Sequence, residues 1–173
     1  MEIRRLLDRD ERSVQVVYRD AFLGPPWLED IGVEEVGRRW REYRAKRGFD
    51  GRVALYHGDL VGAIWWDTPT PDDLRTVRGD ARGAIVQSDA ERIYWVRDTV
   101  VSRCRQGIGI GRELRSAFIA ELPEDSIALT RHRDDNTGII RLSETMGFRR
   151  TGIRVPSSQI PGLFHEYWYY HKR

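Results

Sequence analysis

The stretch Val100-Val101-Ser102-Arg103-Cys104-Arg105-Gln106-Gly107-Ile108-Gly109-Ile110-Gly111-Arg112 decides how this chain reads. A strand over 92–101 runs into it. A helix from about Gly109 to Leu122 leaves it, stopped by Pro123. The first backbone N–H groups of a helix have no partner inside it, and the helix dipole favours negative charge there. Glycines let a diphosphate come close to the backbone, and Arg103, Arg105 and Arg112 supply charge nearby. The turn is therefore a candidate phosphate cradle. Two familiar nucleotide motifs fail. A Walker loop needs Lys followed by Ser or Thr, but Gly111 is followed by Arg112-Glu113; the dinucleotide pattern needs GxGxxG, but Gly107, Gly109 and Gly111 alternate strictly.

Outward from the turn, the pattern alternates strands and helices. Residues 2–7 read as a short first strand. Val14, Val17, Tyr18, Ala21 and Phe22 fall at helical spacing, in a helix ending near Gly24-Pro25-Pro26. Val33, Val36, Trp40 and Tyr43 predict a second helix, ending around Gly48. A hairpin follows, with strands over 52–56 and 60–66 joined at His57-Gly58-Asp59. Residues 68–90 read as a long connection holding one short helix at most, a length that favours a functional or mobile segment. Beyond the turn come a strand over 126–132, a helix from Asn136 to Met146 capped by Gly147, and strands near 148–154 and 164–171. The order β-α-α-β-β-β-α-β-α-β-β predicts an α/β fold, with a mixed, mostly antiparallel central sheet and helices on both faces. One domain over 1–173 is expected.

The run Gln106-Gly107-Ile108-Gly109-Ile110-Gly111 resembles the (Gln/Arg)-x-x-Gly-x-(Gly/Ala) motif of the GNAT superfamily of N-acetyltransferases. The family's preceding strand often reads Leu-x-Val-x-Pro, where this chain has Thr99-Val100-Val101-Ser102-Arg103. A later family segment, Asn-x-x-Ala-x-x-Leu-Tyr-x-x-x-Gly-Phe, is matched in register by Asn136, Leu142, Gly147 and Phe148. Ile139 stands at its alanine and Ser143 at its tyrosine. The element order is similar to the family's from end to end.

The resemblance implies acetyl-CoA as co-substrate. The backbone of Gln106, Gly107, Ile108, Gly109, Ile110, Gly111 and Arg112 would hold its diphosphate, with Asn136 contributing from the later motif. It also implies two splayed parallel strands, 92–101 and 126–132, the pantetheine arm pairing with the first as an added strand would. A bulge near Thr99, Val100 and Val101 would turn an amide toward the thioester carbonyl and stabilise the oxyanion. Acetyl would pass directly to a primary amine with both substrates bound, so Cys104 is read as an exposed loop thiol and not an acyl carrier. Direct transfer needs a base and an acid. For the base, Asp98 ranks first, beside Glu91 or a water chain. For the acid, Ser143 takes the tyrosine's place, with Tyr167 or Tyr169 as alternatives. A CoA-binding module without turnover is the rival reading, favoured by Ser143 and by the lack of a clear strand carboxylate.

On the acceptor side, the resemblance places Trp27, Glu29, Asp30, Glu34, Glu35 and Trp40 near the pocket, with Trp65, Trp66 and Trp95 on strands. Acids and aromatics suit a cationic amine on a small molecule or peptide; as the alternative, the acids offset a helix dipole and the tryptophans fill the core. A loop around Pro156, Ser157, Ser158 and Pro161 is where such proteins can form a homodimer. Composition sets the remaining bounds. A formal charge of +2 gives no nucleic-acid footprint, although Lys46 and Lys172 are the only lysines among 29 basic residues. No apolar run is long enough to cross a bilayer, and Asp8 interrupts the N-terminal apolar residues. A single cysteine suggests a reducing cytoplasm. His57, His132, His165 and His171 lack metal-ligand spacing, so no metal is expected.

Overall fold

The computed structural model describes residues 1–75, 92–158 and 160–173. Glu91 and most of the connection expected over 68–90 lie outside the described residues. The elements follow the predicted order. They are β1 (Glu2–Arg5), α1 (Glu11–Leu23), α2 (Val33–Arg44), β2 (Asp50–Tyr56), β3 (Asp59–Asp67), β4 (Ile93–Val101), α3 (Ile110–Glu121), β5 (Ile127–Arg133), α4 (Thr137–Thr145), β6 (Arg149–Pro156) and β7 (Phe164–His171). The seven strands form one mixed, mostly antiparallel sheet in the order β1-β2-β3-β4-β5-β7-β6. Contacts divide the chain into two compact units, residues 1–67 with 97–121 and residues 68–96 with 122–173.

In the first unit, α1 buries the five residues whose spacing predicts it: Val14, Val17, Tyr18, Ala21 and Phe22. Asp10 anchors its start. The carboxylate accepts from the Leu7 amide at 2.9 Å and from both Arg4 guanidinium nitrogens, at 2.6 and 2.8 Å. That bond network ends β1 at Arg5, short of the expected Leu7. Glu34 and Glu35 in the first turn of α2, with Arg41 and Arg44 in its last, complement the helix dipole. The β2–β3 hairpin turns on His57 and Gly58, with φ of 52° and 90°, the backbone a two-residue hairpin loop requires. Trp40 and Trp65 meet edge to face at 5.3 Å, with Tyr18 and Tyr43 against Trp65, so these rings are core.

In the second unit, β4 and β5 run parallel, paired at Ile93–Ile127, Tyr94–Ala128 and Trp95–Leu129. Antiparallel β7 pairs with β5 along its length and then with β6. The β6–β7 register shifts between Arg150 and Arg154, where Gly152 takes a φ of 80°. Ile93, Trp95, Ile127, Leu129 and Tyr167 pack into one cluster with Leu74.

Candidate functional site

The glycine turn lies wholly in the first unit. After β4, Ser102 donates to Val61 O at 2.9 Å, and a short 3-10 turn over Arg103–Arg105 redirects the chain. Gly107 and Gly109 then take φ of 79° and 94°, and a Cβ at either would meet open space. Only glycine adopts such angles without strain, which explains their alternation. The amide of Glu113 is the first used by α3, donating to Gly109 O at 3.1 Å. The amides from Gly107 to Arg112 donate to no described residue. Gln106 to Gly109 and Arg112 are exposed, whereas Ile110 is buried and plugs the helix start into the core. A set of open amides at a helix N-terminus is a fitting receptor for a diphosphate.

The side chains around the turn divide by task. Gln106 donates its side-chain amide to Val101 O at 3.0 Å, folding the turn back on β4. Arg103 is held by Asp20 of α1, which accepts from its amide at 2.8 Å and its Nε at 2.9 Å, so this arginine ties helix to turn instead of standing ready for phosphate. The Arg105 guanidinium lies 4.5 Å over the Tyr56 ring. Arg112 is exposed and makes no ion pair with a described residue, so it is the arginine best able to meet an anion. Cys104 is exposed.

Asp98 and Thr99 follow Arg97 on β4. Arg97 is tied by two bonds, at 2.5 and 2.8 Å, to Asp67, which is fully buried. The Asp98 charge lies near the Tyr43 hydroxyl. Burial first, and the Asp98 charge second, push the Tyr43 and Tyr18 hydroxyls well above the ordinary tyrosine range, so both stay protonated donors. The Thr99 hydroxyl is buried with no hydrogen-bond partner among the described residues. Val100 is buried and Val101 half-buried.

Asn136 and Ser143 belong to the second unit. Asn136 caps α4, its side-chain oxygen accepting from Ile139 N at 3.3 Å. Ser143 is fully buried, and its hydroxyl lies 2.7 Å from His132 Nε2 on β5. Tyr167 is core, packed edge to face on Trp95. His132 and Tyr43 are the partners that sequence reasoning did not pair with Ser143 and Asp98, because no local pattern links them. On the acceptor side, Trp40, Trp65, Trp66 and Trp95 are buried and Trp27 stacks on Phe22 at 5.0 Å. Glu35 is engaged by Arg38 and Arg39, and its carboxyl is held down at about 2, Arg38 contributing most. These groups serve packing and helix charge. No group of three His, Cys, Asp or Glu able to hold a metal occurs among the described residues, and no helix there is long and apolar enough to cross a membrane.

The backbone matches solved structures along nearly its whole length. One is the ribosomal-protein-alanine N-acetyltransferase from Brucella melitensis, with a TM-score of 0.71 at 20% identity over 99% of both chains. Another is the yncA protein from Salmonella typhimurium, solved with its cofactor acetyl-CoA, with a TM-score of 0.71 at 17% identity over 100% of this chain and 94% of that one. A third is a GNAT-family acetyltransferase from Bacillus cereus, with a TM-score of 0.69 at 13% identity over 99% and 97%.

The fold is that of the GNAT acetyltransferases.

No protein-family model and no curated protein matches the sequence. In the GNAT fold as this chain builds it, the turn with open amides and the strand carrying Asp98 share one unit, while the His132–Ser143 pair sits in the other.

Proposed function

We propose that the chain is an N-acetyltransferase that moves an acetyl group from acetyl-CoA directly to a primary amine of a small molecule or peptide, both substrates bound together. The observation that carries this reading is the run of open amides from Gly107 to Arg112 at the start of α3. Structural neighbours named as acetyltransferases, one of them an N-acetyltransferase and another solved with acetyl-CoA, add support. In the proposed complex the amides of Gly107, Ile108, Gly109, Ile110, Gly111 and Arg112 hold the diphosphate, with the Arg112 guanidinium adding charge. Gln106 keeps the turn in place. The backbone of Thr99, Val100 and Val101 receives the pantetheine arm, and an amide of Val100 or Val101 stabilises the oxyanion.

Asp98 is the proposed base. Its carboxylate lies near the Tyr43 hydroxyl, and the neighbouring Arg97 is engaged by Asp67. Ser143, the acid that the resemblance implies, is fully buried and bonded to His132. The test has two parts. Acetyl-CoA should raise the melting temperature, and free thiol should then appear with at least one member of a panel of amines. No thermal shift would remove the coenzyme site; a shift without thiol release across the panel would leave a binding module. The panel should include small amines and peptides with free N-termini.

A further inference from the structure

We infer that Asp20 of α1 is the positioning residue of the glycine turn, holding it through Arg103 so that the open amides stand ready for a diphosphate. This rests on the acetyltransfer reading above and names what gives its coenzyme site a fixed shape. Every group involved belongs to the first unit.

The turn is not shaped by burial. Arg103, Cys104 and Gln106 to Gly109 are exposed, and Gly107 and Gly109 carry the backbone freedom of glycine. The 3-10 turn over Arg103–Arg105 also lacks a cap of its own, because the Ser102 side chain makes no capping bond. Asp20 supplies one from another element. Its Oδ2 accepts from the Arg103 amide at 2.8 Å, and its Oδ1 accepts from Arg103 Nε at 2.9 Å. One carboxylate thus fixes both the main chain and the side chain of the residue that opens the turn.

Asp20 can do this because its own backbone is anchored. Val17, Tyr18, Ala21 and Phe22, its neighbours on α1, are all buried in the core. The end of the same helix makes a second contact. Gly24 has φ of −89° and ψ of 168°, extended backbone that any residue adopts. A Cβ there would nevertheless come within 2.8 Å of Arg103 Cδ and 3.1 Å of Cγ. Glycine is needed at this position for space, because the arginine stem lies against the helix end. Beyond Arg103, the Gln106 side chain donates to Val101 O at 3.0 Å, so the amides that follow start from a point fixed on both sides. A receptor held in its binding shape loses less freedom when the ligand arrives, and affinity rises accordingly.

The sign of the effect separates this role from its rival. If Arg103 were a phosphate ligand restrained by Asp20, removing the carboxylate would free it and tighten binding. If Asp20 positions the turn, removing it weakens binding although it touches no coenzyme.

The test is calorimetric titration of acetyl-CoA into wild type, Asp20→Ala, Asp20→Asn and Gly24→Ala. Asp20→Ala should raise Kd by about three- to tenfold, the worth of one or two lost hydrogen bonds. Asp20→Asn should recover part of that loss, since its carbonyl oxygen can still accept from the Arg103 amide. Gly24→Ala, free of backbone strain, should weaken binding by pushing the arginine stem aside. Without coenzyme, the Arg103 amide should exchange with solvent faster in Asp20→Ala than in wild type. A purely structural contact would lower Tm and leave the Kd of the folded variant unchanged. A Kd for Asp20→Ala within twofold of wild type, or lower, would overturn the positioning role alone, and Gly24→Ala is held to the same criterion should Asp20→Ala not fold. Absence of acetyl-CoA binding by the wild-type chain would overturn it together with the acetyltransfer reading.

Discussion

Gly109→Glu tests the cradle where its geometry is most specific. With a φ of 94°, Gly109 occupies backbone that costs an L residue about 1–2 kcal/mol. A Cβ there meets open space, so no clash adds to that strain. Gly109→Ala should therefore lower stability by about 1–2 kcal/mol, or roughly 2–8 °C in Tm for a chain of this size. Gly109→Glu carries the same strain and places a carboxylate where the diphosphate would sit. At about 4 Å and an effective dielectric of about 20, like charges repel by about 4 kcal/mol, roughly a thousandfold in affinity. Calorimetric titration with acetyl-CoA measures this directly, with circular dichroism to verify folding. The alanine variant should keep much more affinity than the glutamate variant. A folded Gly109→Glu protein that binds acetyl-CoA within threefold of wild type would refute the placement of the diphosphate.

Three other perturbations follow from named contacts. Asp67→Ala removes the buried carboxylate that accepts two bonds from the half-buried Arg97 guanidinium, and thermal or urea unfolding should show a loss of about 1–3 kcal/mol. His165 has a folded pKa of about 4 against an ordinary 6.5. The unfolded chain thus binds the extra proton first, and the stability that neutral His165 contributes is lost as pH falls from 6.5 through about 4. A series of Tm values over that window should slope less steeply for His165→Gln than for wild type. Cys104→Ser should leave thiol release within twofold of wild type, because direct transfer needs no acyl carrier on the exposed loop; loss of turnover would point to a covalent route.

Much of the fold is legible in the chain because the signals are local. Val14 to Phe22 carry the helix period, His57-Gly58 marks the hairpin, and Gly107 and Gly109 sit where positive φ is needed. The cradle is legible for the same reason, since glycines, strand and helix start adjoin in sequence. The finer chemistry depends on partners brought from elsewhere. Arg103 reads as a phosphate ligand until Asp20, 83 positions away, takes it. Asp98 lies near the Tyr43 hydroxyl of another element, and Ser143 is bonded to His132, eleven positions away across a helix–strand contact. The tryptophans of the expected acceptor wall turn inward because large rings bury more apolar area in the core than any pocket rim offers.

The central claim is that main-chain amides at the start of α3 grip the twin phosphates of the coenzyme. Backbone ¹H–¹⁵N spectra recorded during an acetyl-CoA titration test it most directly. The amides of Gly107, Gly109 and Gly111 should move farthest and saturate together with the binding isotherm. Saturation with those three resonances unmoved would contradict the account.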